Sequence, residues 1–295
     1  MNRMALTRRG SLAALTGLAV VPLVGAAPRA PVVPTRAAPS FARLEREFDA
    51  RLGVHAVDTG TGKAVAYRPD EPFAFASTYK ALAAGAVLRR NTPAGLERVV
   101  TYTQAELVAH SPVTGRHVES GMSLRALCDA AIRYSDNTAG NLLLGELGGP
   151  KGFQAELTGL GDTTTRADRY EPALNEAAPS DPRDTSTPRA LTSALYAYTL
   201  GGVLDGERRA LLLDWLGRNT TGGALIRSGV PAHWKVGDKT GNASYGTRND
   251  IAVVSPPGAA PILLAVLSSR AARDAAYDDR LIARATEVVV AALRA

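Results

Sequence analysis

The two ends of this 295-residue chain read as strands and its middle does not, and that order restricts the fold more than any other feature. Residues 54–58 and 63–67 alternate around Thr59-Gly60-Thr61-Gly62, the pattern of a hairpin. Strand-like runs return only after residue 217, at 234–239, 250–254 and 261–267. Turns at 241–246 and at Pro256-Pro257-Gly258 separate them. Between the two groups the periodicity is helical, and helices are expected at about 77–90, 123–134, 138–147, 151–158, 188–200 and 206–217. Thr187-Pro188 is an N-cap followed by proline, while Gly148-Gly149 and Gly201-Gly202 mark stops. A first amphipathic helix carries Phe41, Leu44, Phe48 and Leu52 and is expected to end at Gly53; a last helix spans about 274–294. Strands from both termini must meet to form one sheet, which predicts an α/β (α+β) fold. Its antiparallel sheet is flanked by the N- and C-terminal helices, and an all-α lobe is inserted in the middle. The expected lobes are 40–72 with 218–295, and 73–217. A cleft between them is a natural place for a site.

Ahead of this body, residues 1–27 read as an export signal. Arg8-Arg9 resembles the twin-arginine type, the apolar stretch 12–24 is short for a membrane span, and Gly25-Ala26-Ala27 supplies small residues for cleavage. Residues 28–39, rich in Pro and Ala, are expected to be a flexible leader. The reading is therefore an exported protein without a stable membrane anchor, and a monomer. The formal charge is +6, but three of those charges, Arg3, Arg8 and Arg9, lie in the signal. No dense basic stripe with interleaved aromatics remains, which argues against a nucleic-acid partner. Cys128 is the single cysteine, so no internal disulfide can form, and it reads as an inert buried thiol. Four scattered histidines show no metal-ligand spacing, and no metal or cofactor is expected. His55 lies in a strand and reads as structural.

Candidate chemistry begins at Ser77-Thr78-Tyr79-Lys80, where an apolar run opens into a helix. A serine there lies near unpaired backbone N–H groups, and a lysine three residues on shares its face. The pair could be a nucleophile and its activator; a capped helix with an exposed lysine would leave the same trace. Three further segments follow in order. Ser135-Asp136-Asn137 separates two helices, Glu171-Pro172-Ala173-Leu174-Asn175 lies inside the aperiodic polar stretch 163–185, and Lys239-Thr240-Gly241 ends a strand. An irregular stretch that long inside a compact body is usually functional.

This order and spacing resembles the Ser-x-x-Lys, Ser-Asp-Asn, Lys-Thr-Gly signature of the class A β-lactamases over about residues 40–295. The resemblance implies a β-lactamase/transpeptidase-like fold and a serine hydrolase acting on a small β-lactam. It implies that Ser77 attacks and is acylated, that Lys80 or Glu171 takes its proton, and that Ser135 relays a proton to the leaving nitrogen. Glu171, with Asn175, would activate the deacylating water. Asn137 would hold Lys80 and the substrate amide, and the backbone N–H groups of Ser77 and Asn242, beside Gly241, would form the oxyanion site. Lys239, Thr240 and Arg248 would face the substrate carboxylate. Arg169 and Asp184 match the family's ion pair at the base of the long loop.

Three departures stand out: His110 where an aromatic wall residue is usual, Asn242 where a smaller residue is common, and Ala76 where some members carry a disulfide cysteine. A D,D-peptidase would share the nucleophile and lysines but lack the Glu171–Asn175 pair. A non-hydrolytic penicillin-binding sensor would need an anchor and a signalling domain.

Overall fold

The computed structural model describes Met1 and residues 37–295, so the expected export signal lies outside the described residues. Helix α1 runs Ala38–Phe48, β1 Arg51–Asp58 and β2 Ala64–Tyr67. The helical middle holds α2 Tyr79–Arg90, α3 Leu124–Arg133, α4 Asn137–Glu146, α5 Gly149–Thr158, α6 Pro188–Thr199 and α7 Gly206–Gly217. The chain returns to the sheet with β3 Lys235–Ala243, β4 Thr247–Ser255 and β5 Ile262–Ser269, and ends in α8 Asp279–Arg294. The five strands form one antiparallel sheet in the order β2-β1-β5-β4-β3. The termini meet where β1 pairs with β5, from Arg51 opposite Ser269 to Asp58 opposite Ile262.

Each sheet face carries its own core, because alternate residues of a strand point to opposite sides. On one side Leu52, Val54, Ala252, Val254, Leu264 and Val266 pack under Phe41 and Leu44 of α1 and Leu281, Ile282, Ala285 and Val289 of α8. On the other, Ile251, Val253, Leu263, Ala265 and Leu267 meet the helical middle. Helix α2 is buried continuously from Tyr79 to Leu88, as expected for a helix that is apolar all round. It is the axis of the helical half, and its first turn abuts the β3 edge of the sheet.

Several expected boundaries move. The leader does not extend to residue 39: Ala37 is buried and α1 begins at Ala38, with Pro39 in its first turn, where a fixed φ and a missing N–H cost nothing. Leu52 and Gly53 belong to β1 rather than to the end of α1; Asp49 in the left-handed region ends the helix. The strand holding Lys239 continues through Gly241 and Asn242 to Ala243, since the ladder with β4 carries them on. Helix α8 starts at Asp279 because Asp278 caps it, accepting from the Arg280 N–H at 2.9 Å. The residues before it are tied down elsewhere: Tyr245 N–H donates to Arg273 O and Arg270 N–H to Tyr245 O. The helical middle also contains two short ladders, Phe73–Ala74 with Thr185–Ser186 and Val99–Val100 with Met122–Ser123. They are too short for an alternation signal to show in the sequence.

Candidate active site

Four segments far apart in the chain converge at the edge of β3. The first is the 3-10 turn Ala76–Thr78 that leads into α2. Ser77 sits in it, and Lys80, one turn on, reaches back to put its Nζ 3.0 Å from Ser77 Oγ. The Lys80 side chain is wholly inaccessible. Its ammonium also donates to Asn137 Oδ1 at 2.6 Å and Ser135 O at 2.9 Å, and it lies 3.0 Å from Glu171 Oε1. Burial pushes the Lys80 pKa down from the ordinary lysine value, against the opposing pull of Glu171.

The second segment links α3 to α4. Asp136 caps α4 by accepting from the Ala139 N–H at 2.9 Å. It also accepts from the N–H groups of Val113 and Thr114, each at 2.9 Å, and from the Thr114 hydroxyl at 2.8 Å. This buried carboxylate fixes the loop beneath the site. Ser135 beside it adopts φ +56°. That turn points its carbonyl at Lys80 and its hydroxyl at Lys239, whose Nζ is 3.0 Å away. Asn137 donates its amide to Ala109 O at 2.9 Å and its N–H to His110 O at 2.9 Å.

The third segment is the long loop, closed at its base by a bridge between Arg166 and Thr185. The expected ion pair is present: Arg169 Nε lies 2.5 Å from Asp184 Oδ2, and Asp184 also accepts from the N–H groups of Asp168 and Arg169. The loop carries Glu171 inward, where it is 3% exposed. Oε1 accepts from Ser77 Oγ at 3.3 Å and Oε2 from Asn175 Nδ2 at 2.5 Å. Asn141 grips the Glu171 backbone, accepting its N–H at 2.8 Å and donating to its carbonyl at 3.0 Å. Sequence reasoning missed Asn141. Its signal was the four-residue spacing from Asn137, which puts both on one face of α4.

The fourth segment is β3 itself. Lys239 is fully buried, held by Ser135 Oγ and by Thr240 O at 2.8 Å. Burial and the nearby Lys80 charge bring it down to about 7. Thr240 Oγ1 lies 2.6 Å from Thr221 Oγ1, a second residue that the sequence reading did not single out. Gly241 faces the turn that carries Ser77; a Cβ there would come within 3.2 Å of the Ser77 nitrogen. The β3 backbone thus passes directly against the Ser77 amide.

The remaining predicted residues lie at the rim. Asn242 is exposed on β3, paired in register with Arg248 on β4. Arg248 is bound to Asp279, Nε to Oδ1 at 2.6 Å, with the Tyr277 ring over its guanidinium at 4.6 Å. Its charge is thus partly balanced from α8, which sequence reasoning did not anticipate. His110 is exposed with φ +60°, and its Nε2 lies 3.2 Å from Tyr134 O. Cys128 is buried on α3, where its thiol pKa is pushed up by that burial. Among the described residues, no group of three or more His, Cys, Asp or Glu could hold a metal ion.

Chemically, a buried serine hydroxyl stands between a lysine and a carboxylate, with a second serine beside two lysines and that carboxylate positioned by an amide. Comparison with known proteins agrees with this arrangement. The family model described as the Beta-lactamase enzyme family matches residues 36–293. The chain is 60% identical over 253 residues to a β-lactamase of Amycolatopsis lactamdurans, covering 86% of this chain and 84% of that one. It is 56% identical over 253 residues to a β-lactamase of Bacillus licheniformis, covering 86% and 82%. Among solved structures, a halotolerant bacterial β-lactamase superposes with TM-score 0.86 at 53% identity, covering 87% of this chain and 99% of that chain. A class A β-lactamase of Clostridium kluyveri gives TM-score 0.86 at 47% identity, covering 87% and 98%.

Proposed function

The chain belongs to the class A β-lactamase family, hydrolases of β-lactam antibiotics, and from that premise we propose how its residues divide the work. Ser77 Oγ attacks the lactam carbonyl and becomes acylated. An ammonium at Lys80 has no lone pair to accept a proton and donates to Ser77 Oγ, Ser135 O and Asn137 Oδ1, so the Ser77 proton passes to Glu171. That proton must reach the leaving nitrogen: Glu171 returns it to Lys80, 3.0 Å away, as Lys80 gives one of its own to the Ser135 hydroxyl, which protonates the nitrogen. The N–H groups of Ser77 and Asn242 hold the oxyanion, where a fixed donor is worth about 10²–10³ in rate. Lys239, Thr240 and Arg248 receive the substrate carboxylate, and His110 and Asn242 border the entrance. In the second half-reaction Glu171, held by Asn175, draws a proton from the water that attacks the acyl-enzyme.

The observation that carries this reading is Glu171: one oxygen on the Ser77 hydroxyl and the other on Asn175. A peptidase-like acylation site has no use for such a carboxylate. The test is intact-protein mass spectrometry of Glu171→Ala after mixing with benzylpenicillin. The variant is expected to accumulate the penicilloyl adduct, whereas the parent enzyme turns over. Normal turnover by Glu171→Ala would remove this carboxylate from the mechanism.

The same proposal covers cell biology and domain layout. The enzyme is exported through a twin-arginine-type signal at residues 1–27 and works as a monomer without an anchor. Arg8-Arg9 and the following apolar stretch support the export, and the shortness of that stretch supports cleavage over anchoring; among the described residues no helix is long and apolar enough to cross a membrane. The division into 40–72 with 218–295 and 73–217 is supported by the separate cores on the two sheet faces.

A further inference from the structure

Two buried carboxylates of the sheet take no part in the reaction just described. Asp238 on β3 pairs with Ala252, and Thr240 pairs with Asp250 on β4. Asp238 and Asp250 are therefore diagonal neighbours whose side chains share one face of the sheet. Both are wholly inaccessible. Their surroundings differ. Asp238 receives Arg227 Nε at 2.6 Å on one oxygen and Asn219 Nδ2 at 2.6 Å on the other. The fit is close enough that a Cβ on Gly222 would fall 1.9 Å from Asp238 Oδ2. Asp250 receives the Ile226 N–H at 3.1 Å on Oδ2, and its Oδ1 has no hydrogen-bond partner among the described residues. Two carboxylate charges held side by side away from water are costly, and one proton relieves both the repulsion and the desolvation. The proton belongs on the member with fewer donors.

We propose that Asp238 and Asp250 hold one proton between them, seated on Asp250, and that the single negative charge left on Asp238 keeps Lys239 cationic for the substrate carboxylate. The proposal rests on the assignment of Lys239 to that carboxylate. Asp238 and Lys239 are adjacent in β3 and point to opposite faces, so the charge acts through the strand without a hydrogen bond, and Asp238 is a positioning residue. The groups facing Lys239 are Lys80 from α2, which opposes its charge, Asp238 and Glu171, which favour it, and Asp250, which would favour it only when ionised. Asp238 faces Arg227 and Lys239; Asp250 faces Asp238, Arg248 and Lys239. Burial and the charge of Asp238 push the Asp250 carboxyl well up, whereas on Asp238 the rise from burial is opposed by Arg227 and Asn219. Lys239 already lies at about 7, so a small change in this field alters its charge in the working range.

Two measurements test the two halves. The infrared spectrum of the folded enzyme at neutral pH is expected to show the carbonyl stretch of a buried carboxylic acid, lost in Asp250→Asn. This readout needs no turnover, so it stands even if the hydrolase assignment fails. The pH profile of kcat/KM for benzylpenicillin tests the effect on Lys239. Asp238→Asn is expected to move the alkaline limb to lower pH, lowering kcat/KM at pH 8 about tenfold for each pH unit moved. Asp250→Asn removes no charge and is expected to leave that limb in place. A carboxylic-acid band that survives Asp250→Asn overturns the proposal. So does an Asp250→Asn limb that moves to lower pH. Should Asp238→Asn fail to fold, those two results on Asp250→Asn still decide it.

Discussion

Gly241→Ala isolates the oxyanion geometry from the acids and bases. Its added Cβ would lie 3.1 Å from Ala76 Cβ, 3.1 Å from Phe75 O and 3.2 Å from Ser77 N. Comfortable carbon contacts begin near 3.5 Å, so β3 and the turn before α2 must part by about 0.3–0.4 Å. Neither yields easily: β3 is laddered to β4 over nine residues, and the turn leads into α2, buried from Tyr79 to Leu88. Overpacking of this kind costs roughly 1–3 kcal/mol, and in a chain of this size each kcal/mol lowers Tm by about 2–4 °C. The gap that widens is the one between the Ser77 and Asn242 N–H groups. Loss of one such donor costs about 10²–10³, so partial misplacement is expected to lower kcat/KM about 10–100-fold. Nitrocefin kinetics beside a thermal melt read both effects. A variant whose Tm falls by several degrees while kcat/KM stays at the parent value would refute the placement of the oxyanion site at this gap.

Asp184→Asn keeps an acceptor for the two backbone N–H groups but removes one of the three carboxylates around Arg169 and its charge-assisted hydrogen bond, at a cost of roughly 1.5–3 kcal/mol in the loop that carries Glu171. Deacylation is expected to slow more than acylation, seen as a larger stopped-flow burst; slowed acylation without a burst would contradict that role. His55 is buried on β1, 3.3 Å from Arg189 Nη1, and burial with the Arg189 charge lowers its pKa from 6.5 to about 4. The unfolded chain therefore takes up a proton near 6.5 and the folded one only near 4. The stabilisation is complete above 6.5 and is lost as pH falls toward 4, by up to about 3 kcal/mol. His55→Gln is expected to flatten the fall in Tm between pH 7 and pH 4.5, and equal falls in parent and variant would exclude His55 as the cause.

The fold was legible where periodicity was long. Helices α2 to α7 and the five sheet strands each announced themselves, because a buried face imposes a repeat on ten residues of helix or five of strand. Boundaries failed where tertiary bonds override local preference. Residues 270–278 contain four alanines but are held out of α8 by bonds to Tyr245, and Leu52 continues the helical spacing of α1 while its backbone pairs with Ser268. The candidate site was legible for a different reason. The proposed nucleophile, bases and lysines must be particular residue types, so Ser77, Lys80, Ser135, Glu171 and Lys239 leave a spaced signature that the fold brings together. Residues that hold them do not. Asn141 grips Glu171 through the backbone, and Asp279 balances Arg248 from another helix; either could be any polar residue until the chain is folded.

The least legible feature is the backbone itself. Ala76, His110 and Ser135 all have positive φ, at +46°, +60° and +56°, and none is glycine. Each such residue costs about 1–3 kcal/mol. Each is also placed where another conformation would break the site. Ala76 brings Ser77 N against Gly241, His110 turns its carbonyl to the Asn137 N–H, and Ser135 splits its carbonyl and hydroxyl between Lys80 and Lys239. A glycine would relieve the strain but would also free the unfolded chain and loosen the turn. The hydrogen bonds of Asp136 to Val113, Thr114 and Ala139 fix the loops on both sides of Ser135 and help to hold its strained turn in place. Asp136 is thus the residue of Ser135-Asp136-Asn137 that does no chemistry, and the geometry of the other two depends on it.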